Sequence, residues 1–423
     1  MSEAPLQPGA KVGIVGGGQL GRMLAAAAQR LGYKPHVLAP EARPPAAAFA
    51  SRHLRAEFDD VAALTALASA VDVITFEFEN VSSEALAAAA AVCAVRPSPA
   101  VLDLTQDRAR EKGFLRRHGL PHVANRLVPS REGLAEAVAA IGTPCVVKTA
   151  GFGYDGKGQR VIAGNDDLAG WQAAEALAAT GPAVVERFVE LRLELSVVGA
   201  RGPGGQMRVY APIINRHVDH ILDVSVTPHL YPAAEDAYAD ANADANEDVE
   251  EAADAQAGAI ALRLPASVAA EAEDLTRDVM RHLELVGLCC VEFFLTRDGT
   301  LLVNEIAPRP HNSGHLTIEA AATSQFEQQL RAVCGLPLGS TALFSPAAMA
   351  NLLGGLWSAG APNFAAALAT EAVSLHLYGK SEPRPGRKMG HLTALANEPA
   401  QAVARVLAAR DALRPSPPAL GSS

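Results

Sequence analysis

Apolar and polar positions fall into two alternating periods along the first hundred residues. Residues 11–15 form a short apolar run, followed by Gly16-Gly17-Gly18 and then a 3.6-residue period over 20–31 that stops at Gly32. Residues 34–38, 71–78 and 93–96 are further apolar runs of strand length. Strands that alternate with helices predict a parallel sheet covered on both faces, ending near 98–101.

A second α/β block follows a helical segment that begins near Asp103. Residues 144–149 (PCVVKT) read as a strand leading into a glycine-rich stretch at 151–158. Residues 183–188 and 193–198 read as a pair of strands, and 209–214 as another. Residues 289–295 and 301–306 flank Arg297-Asp298-Gly299, an Asp-Gly hairpin signal. The expected boundaries are 1–102 for the first domain and 103–322 for the central region, whose small lobe covers about 143–200. Residues 323–395 would form a small C-terminal domain, and 396–423 a helix with a disordered tail.

Composition narrows the function classes. Of 423 residues, 49% are hydrophobic and only 19% charged, which excludes disorder of the whole chain. The net charge is −10, so a broad basic face for nucleic acid is not expected. Nine acids and no Lys or Arg lie between Glu235 and Asp254, so that stretch carries nearly all of the imbalance. The surrounding segment, 232–258, reads as a solvated acidic insertion or as plain disorder, with disorder favoured.

Five cysteines without a C-x-x-C pair suggest neither a disulfide framework nor a zinc site. No signal peptide is apparent, and Pro and Gly interrupt the uncharged stretch 332–370, leaving no membrane span. A soluble cytoplasmic protein is expected.

Several clusters carry candidate chemistry. Gly16-Gly17-Gly18-Gln19-Leu20-Gly21 fits G-x-G-x-x-G between strand and helix, either to approach a ligand or to make a tight turn. A dinucleotide site would also want an acid closing the second strand. Glu41, between Pro40 and Arg43-Pro44-Pro45, is a poor one. Lys148, followed by Gly153, Tyr154, Asp155, Gly156, Lys157, Gly158 and Gln159, suits clamping a polyphosphate. It is not a P-loop. Glu292 and Asn304-Glu305 lie on facing strands, where unpaired acids in apolar runs are costly; together they could hold Mg2+ against ATP phosphates. Arg309, His311, Asn312, Ser313 and His315 follow in one turn. Lys380, Arg384, Arg387, Lys388 and His391 are the densest basic cluster and a candidate phosphate site.

These motifs resemble the ATP-grasp superfamily and, within it, the N5-carboxyaminoimidazole ribonucleotide synthetase family. GGGQLGRM (16–23), TFEFEN (75–80), GYDGKGQ (153–159), NEIAPRPHNSGH (304–315), TSQFEQQLRAVCGLPLG (323–339) and RPGRKMGHL (384–392) carry the resemblance. It implies an α/β ATP-grasp fold: a Rossmann-like N-terminal domain, a two-lobed central region and a small C-terminal domain.

Carried over residue by residue, the resemblance assigns ATP to Arg108, Lys148, the loop Gly153 to Gln159, Glu186, Arg187, Phe188, Val189, Glu194, His217, Asn304 and Glu305. Mg2+, as two ions, goes to Glu292 and Glu305. Gln19, Leu20, Glu77, Asn312, Lys380, Arg387 and Lys388 would line the site for 5-aminoimidazole ribonucleotide. Arg309 and His311 would stabilise a carboxyphosphate made from ATP and bicarbonate, with Tyr154 and Asp155 closing over it. A homodimer is implied. The chain departs from the family pattern in its longer acidic insertion and at Asn215-Arg216-His217, where the usual Glu is missing.

Two rivals remain at this point: a sister ligase such as formate-dependent glycinamide ribonucleotide transformylase, and a non-catalytic nucleotide-binding protein. A nicotinamide dehydrogenase would leave the Glu292/Glu305 pair without a purpose.

Overall fold

A computed structural model describes residues 4–151, 158–231 and 260–414, and every element and contact below belongs to those residues. The loop residues Gly153, Tyr154, Asp155, Gly156 and Lys157, the whole acidic insertion 232–258 and the end of the tail lie outside them.

The N-terminal sheet contains β1 (Lys11–Val15), β2 (Lys34–Ala39), β3 (Arg52–Arg55), β4 (Val73–Phe76) and β5 (Ala94–Val95). All are parallel in the order β3-β2-β1-β4-β5. Buried on both faces, β1 beyond Lys11 and β4 apart from Thr75 are apolar instead of alternating. One face is covered by helices Val61–Ala68 and Ser83–Ala90. The other takes Leu20, Leu24 and Ala25 of helix Gln19–Arg30, together with Phe326, Leu330 and Val333. Those last three come from helix Gln325–Val333, more than two hundred residues beyond the sheet that it helps to bury.

The small lobe is an antiparallel sheet of β6 (Asn125–Val128), β7 (Cys145–Thr149), β8 (Gln159–Ile162) and β9 (Ala183–Arg187), ordered β6-β9-β7-β8. The large sheet contains β10 (Leu191–Arg201), β11 (Met207–Val209), β12 (Ile213–Val218) and β13 (Ile221–Val226). Two short strands, β14 (His229–Tyr231) and β15 (Arg263–Pro265), pair beside it. It continues through β16 (Gly287–Thr296), β17 (Leu301–Ala307), β18 (Ala347–Leu353), β19 (Val373–Leu377) and β20 (Lys388–Leu395). The order is β17-β16-β10-β12-β13-β18-β20-β19, with β11 on β10. Helices Ala266–His282 and Pro399–Ala412 pack against its apolar face.

Two expectations need correction. The runs 183–188 and 193–198 are not paired with each other: β9 already has β6 and β7 on its two edges, so the chain crosses at 188–190 into the large sheet. The run 209–214 is two strands, because Pro212 has no N–H to continue a ladder. The C-terminal strands continue the large sheet. β18 pairs with β13 and extends the large sheet.

Candidate active site

Alternation puts the polar residues of the large sheet on one face. In β16, Val291, Phe293 and Leu295 enter the core, so Glu292 points the other way. In β10, Leu193, Leu195 and Val197 are core, leaving Glu194 and Ser196 on the face of Glu292. Ser196 lies opposite Glu292 in register, and Glu194 opposite Asn215.

Glu292 also lies opposite Glu305 on β17, and there the ladder slips by one residue: Phe293 is opposite Val303, so Asn304 is extra. Strict alternation would send Asn304 and Glu305 to opposite faces; the bulge lets both line the cleft. Two consecutive buried ionisable side chains of helix Arg108–Arg117 hold it in place. The Lys112 ammonium donates to the Asn304 carbonyl at 2.6 Å, and the Glu111 carboxylate accepts from the Ile306 N–H at 3.1 Å. Burial pushes the Glu111 carboxyl up to about 8, against the pull of Lys112.

Across the cleft, β7 carries Lys148 and β9 carries Glu186. The Lys148 ammonium reaches one Glu186 oxygen at 2.6 Å and Lys112 approaches the other at 3.4 Å. Burial would raise the Glu186 carboxyl, but the two ammoniums outweigh it and hold it at about 2. Arg108 sits at the foot of the 151–158 loop, where its guanidinium donates to the Thr149 carbonyl at 3.0 Å. Gln159 leaves the loop on β8. Arg187 ends β9, and Phe188 and Val189 lie in the crossing segment, with Phe188 exposed. Glu194 and His217 form an ion pair; burial lowers the imidazole pKa, and the carboxylate more than reverses that shift.

His311 donates its Nε2–H to Glu292, 3.0 Å away. Desolvation favours the neutral carboxyl of Glu292, but His311, backed by His217 and Lys388, holds it below its usual range. Glu305 shifts the other way, raised first by burial and then by Glu292. A divalent cation between them would relieve that repulsion. Among the described residues no cluster of three or more His, Cys, Asp or Glu could hold a metal by itself. Two carboxylates alone suit Mg2+, which keeps waters and substrate phosphates in its shell.

The N-terminal domain closes the third side. Glu77, just past β4, accepts from the Gly18 N–H at 2.7 Å. Gly16 has φ +119°, and a Cβ there would lie 2.5 Å from the Glu77 Cγ. The glycine turn therefore cradles the protein's own carboxylate, which would repel a dinucleotide pyrophosphate. Gln19 and Leu20 open the following helix. Arg309 reaches back to Glu79 at 2.9 Å and is more basic than usual because Glu79, Glu77 and Glu305 outweigh its burial.

The basic cluster is only partly gathered. Lys380 donates to the Lys388 carbonyl at 2.7 Å and lies over the Tyr378 ring, while Arg387 donates to the Glu382 carbonyl at 2.7 Å. Asn312 is buried and its amide is taken up by Asn351, through reciprocal bonds of 3.1 and 2.7 Å.

Three successive segments of the chain match known families. Residues 9–106 match the ribonucleotide synthetase preATP-grasp domain, 113–247 and 242–326 the ATP-grasp domain, and 347–405 the phosphoribosylaminoimidazole carboxylase C-terminal domain. The N5-carboxyaminoimidazole ribonucleotide synthase of Brucella melitensis is 42% identical over 395 residues, spanning 93% of this chain and 98% of that protein. The chain belongs to the N5-carboxyaminoimidazole ribonucleotide synthase family.

Another synthase of this family, from Bacillus subtilis, is 38% identical over 93% of both chains. An N5-carboxyaminoimidazole ribonucleotide synthetase solved as its ADP complex has a TM-score of 0.82 at 36% identity, covering 96% of this chain and 97% of that one. The Aspergillus clavatus synthase solved with ADP and 5-aminoimidazole ribonucleotide has a TM-score of 0.80 at 28% identity, covering 96% and 99%.

Several site residues were missed by sequence reasoning. Lys112 and Glu111 sit in RAREKGFLRR, which reads as a solvated charge run. Gln325 brackets His311, accepting its N–H at 2.8 Å and donating to its carbonyl at 2.7 Å. Its motif, TSQFEQQLR, carries the family resemblance without marking this contact. Gln329 of the same helix donates to Thr75 of β4 at 2.7 Å, tying the helix behind His311 to the N-terminal sheet.

Proposed function

We propose that this chain carboxylates the exocyclic amine of 5-aminoimidazole ribonucleotide, using ATP and bicarbonate. A bicarbonate oxygen attacks the γ-phosphorus and ADP leaves, giving carboxyphosphate. The amine nitrogen then attacks the carboxyl carbon, phosphate leaves with the C–O bond electrons, and the nitrogen loses a proton. The observation that carries the reading is the Glu292/Glu305 pair, facing Lys148 across the cleft with Arg309 and His311 at its end.

The chain's own groups divide the work. ATP lies between the small-lobe sheet and the large sheet, with Glu186, Arg187, Phe188 and Val189 along the crossing segment beside adenine and Glu194 and His217 at the ribose. Lys148 and Arg108 balance phosphate charge with the loop Gly153, Tyr154, Asp155, Gly156, Lys157, Gly158 and Gln159. When Lys148 turns to a phosphate, Lys112 stays with Glu186, so that buried carboxylate is not stranded. Glu292 and Glu305, with Asn304, would hold Mg2+, which supplies neutralisation of phosphate charge when bound. Arg309 and His311 stabilise carboxyphosphate, and Tyr154 and Asp155 exclude water from it. Gln19, Leu20, Glu77, Lys380, Arg387 and Lys388 take the ribonucleotide, with its phosphate on the basic residues. Asn312 contributes through Asn351 and the shape of the turn. A cytoplasmic homodimer belongs to the same proposal.

The test is phosphate release from Mg-ATP and bicarbonate, with and without 5-aminoimidazole ribonucleotide, beside glycinamide ribonucleotide with formate. Stimulation by the aminoimidazole nucleotide that is lost in Arg309→Ala supports the reading. Stimulation only by glycinamide ribonucleotide with formate would assign the chain to the sister reaction.

A further inference from the structure

Behind the catalytic turn, the large sheet contains an unbroken file of small buried polar side chains. Ser225 donates to the Asn215 Oδ1 at 2.8 Å, the Asn215 Nδ2 donates to the Ser196 Oγ at 2.9 Å, and Ser196 donates to the Ser313 Oγ at 2.7 Å. Ser313 meets the His311 Nδ1 at 2.9 Å. The three serines are fully buried and Asn215 nearly so. They lie on β13, β12, β10 and the turn after β17, and buried polar atoms there are costly unless paired.

The direction of this file is fixed from the histidine end. The Ser313 backbone N–H also points at the His311 Nδ1, at 3.4 Å, so that nitrogen presents a lone pair. Ser313 must then donate its single hydroxyl proton to Nδ1 and accept from Ser196. Ser196 in turn accepts from the Asn215 amide, and the Asn215 oxygen accepts from Ser225. Each hydroxyl proton of the file then has one acceptor, and the Ser313 Oγ also lies 4.0 Å from the Cys290 Sγ. At the far side of the ring the proton sits on Nε2, aimed at Glu292. For a neutral His311 the reverse order would set the Nε2 lone pair against the Glu292 carboxylate.

We propose that Ser225, Asn215, Ser196 and Ser313 are positioning residues that hold His311 as its Nε2–H tautomer, so that Glu292 keeps one oxygen bonded and turns the other toward the cation and phosphates. The inference builds on the roles given above to His311 and Glu292. Outer partners of this kind typically cost about 10- to 100-fold in activity when removed.

The test uses the full-length protein labelled with 15N-histidine, with the His311 resonances assigned by their loss in His311→Gln. The wild-type protein without ligands is expected to show a protonated Nε2 and an unprotonated Nδ1. Ser196→Ala should mix the tautomers and lower kcat for aminoimidazole-stimulated ATP turnover by about 10- to 100-fold, leaving KM for ATP within about twofold. Ser196→Thr, which keeps the hydroxyl, should restore both. Ser225→Ala, at the open end of the file, provides the same readings if Ser196→Ala does not fold. An Nδ1–H tautomer in the wild type, or unchanged tautomer and kcat in both alanine variants, would overturn the proposal. Absence of aminoimidazole-stimulated turnover in the wild type would sink the functional reading alone, because the tautomer is measured without substrate.

Discussion

Lys112 is 1% exposed, and its ammonium serves both lobes: the Asn304 carbonyl on β17 and the Glu186 carboxylate on β9. Lys112→Met keeps the length of the side chain and removes the charge. Removing one partner from a buried pair costs about 3–5 kcal/mol. Lys148 still neutralises Glu186 at 2.6 Å, which puts the loss near the lower end. The freed Asn304 carbonyl adds about 1 kcal/mol, and the two effects share one side chain and overlap. At about 2 °C per kcal/mol for a unit of this size, the melting temperature should fall by roughly 6–8 °C in calorimetry. Glu186→Gln in the Lys112→Met background removes the stranded charge, and Lys148 is exposed enough to hydrate. The double variant should therefore melt above the single one. A fall of less than about 2 °C, or a double variant that melts lower still, would refute the assignment of Lys112 as the charge that both lobes share.

Glu305→Gln should lower Mg-ATP turnover by at least about 100-fold, without lowering the melting temperature, since burial and Glu292 already disfavour its charge; near-normal turnover would remove it from the cation site. Gly16→Ala forces a side chain into a φ of +119° and against Glu77, so a loss of about 1–3 kcal/mol and a raised KM for the ribonucleotide are expected from melting and steady-state kinetics. His315 and His391 are fully buried and held well below the ordinary imidazole range, above all by desolvation. A depressed folded pKa means that the unfolded chain takes up protons first, so stability is complete above about pH 6.5 and falls below it by about 1.4 kcal/mol per pH unit for each histidine. Urea titrations at pH 7.5, 6.0 and 5.0 should show that slope, and His391→Gln should reduce it by about 1.4 kcal/mol per pH unit; an unchanged slope would place the acid sensitivity elsewhere.

Local chemistry wrote much of this protein into its sequence. Apolar runs and the glycine turn specified the parallel N-terminal sheet, because a strand buried on both faces leaves a nearly continuous apolar signature. Glu292 and Glu305 stood out because a carboxylate in an apolar strand has to be explained by a partner. The Asp-Gly pair announced the hairpin that brings them together.

What the tertiary structure alone decided is which buried polar group satisfies which. The bulge at Asn304 leaves no mark in the strand's composition, yet it turns two neighbouring side chains to one face. Lys112 and Glu111 look like solvent-facing charges until β17 is laid against them, 192 and 195 residues away. The same holds for Ser196 and Ser313, which are 117 residues apart and become informative only when their hydroxyls meet. It holds again for β9 and β10, whose closeness in sequence mimics a hairpin although they belong to different sheets. Periodicity and propensity act over a few residues and fix the elements. Ladder partners and buried hydrogen bonds are settled by the competition of all edges and all polar groups for one another, and that competition is resolved only in the folded chain.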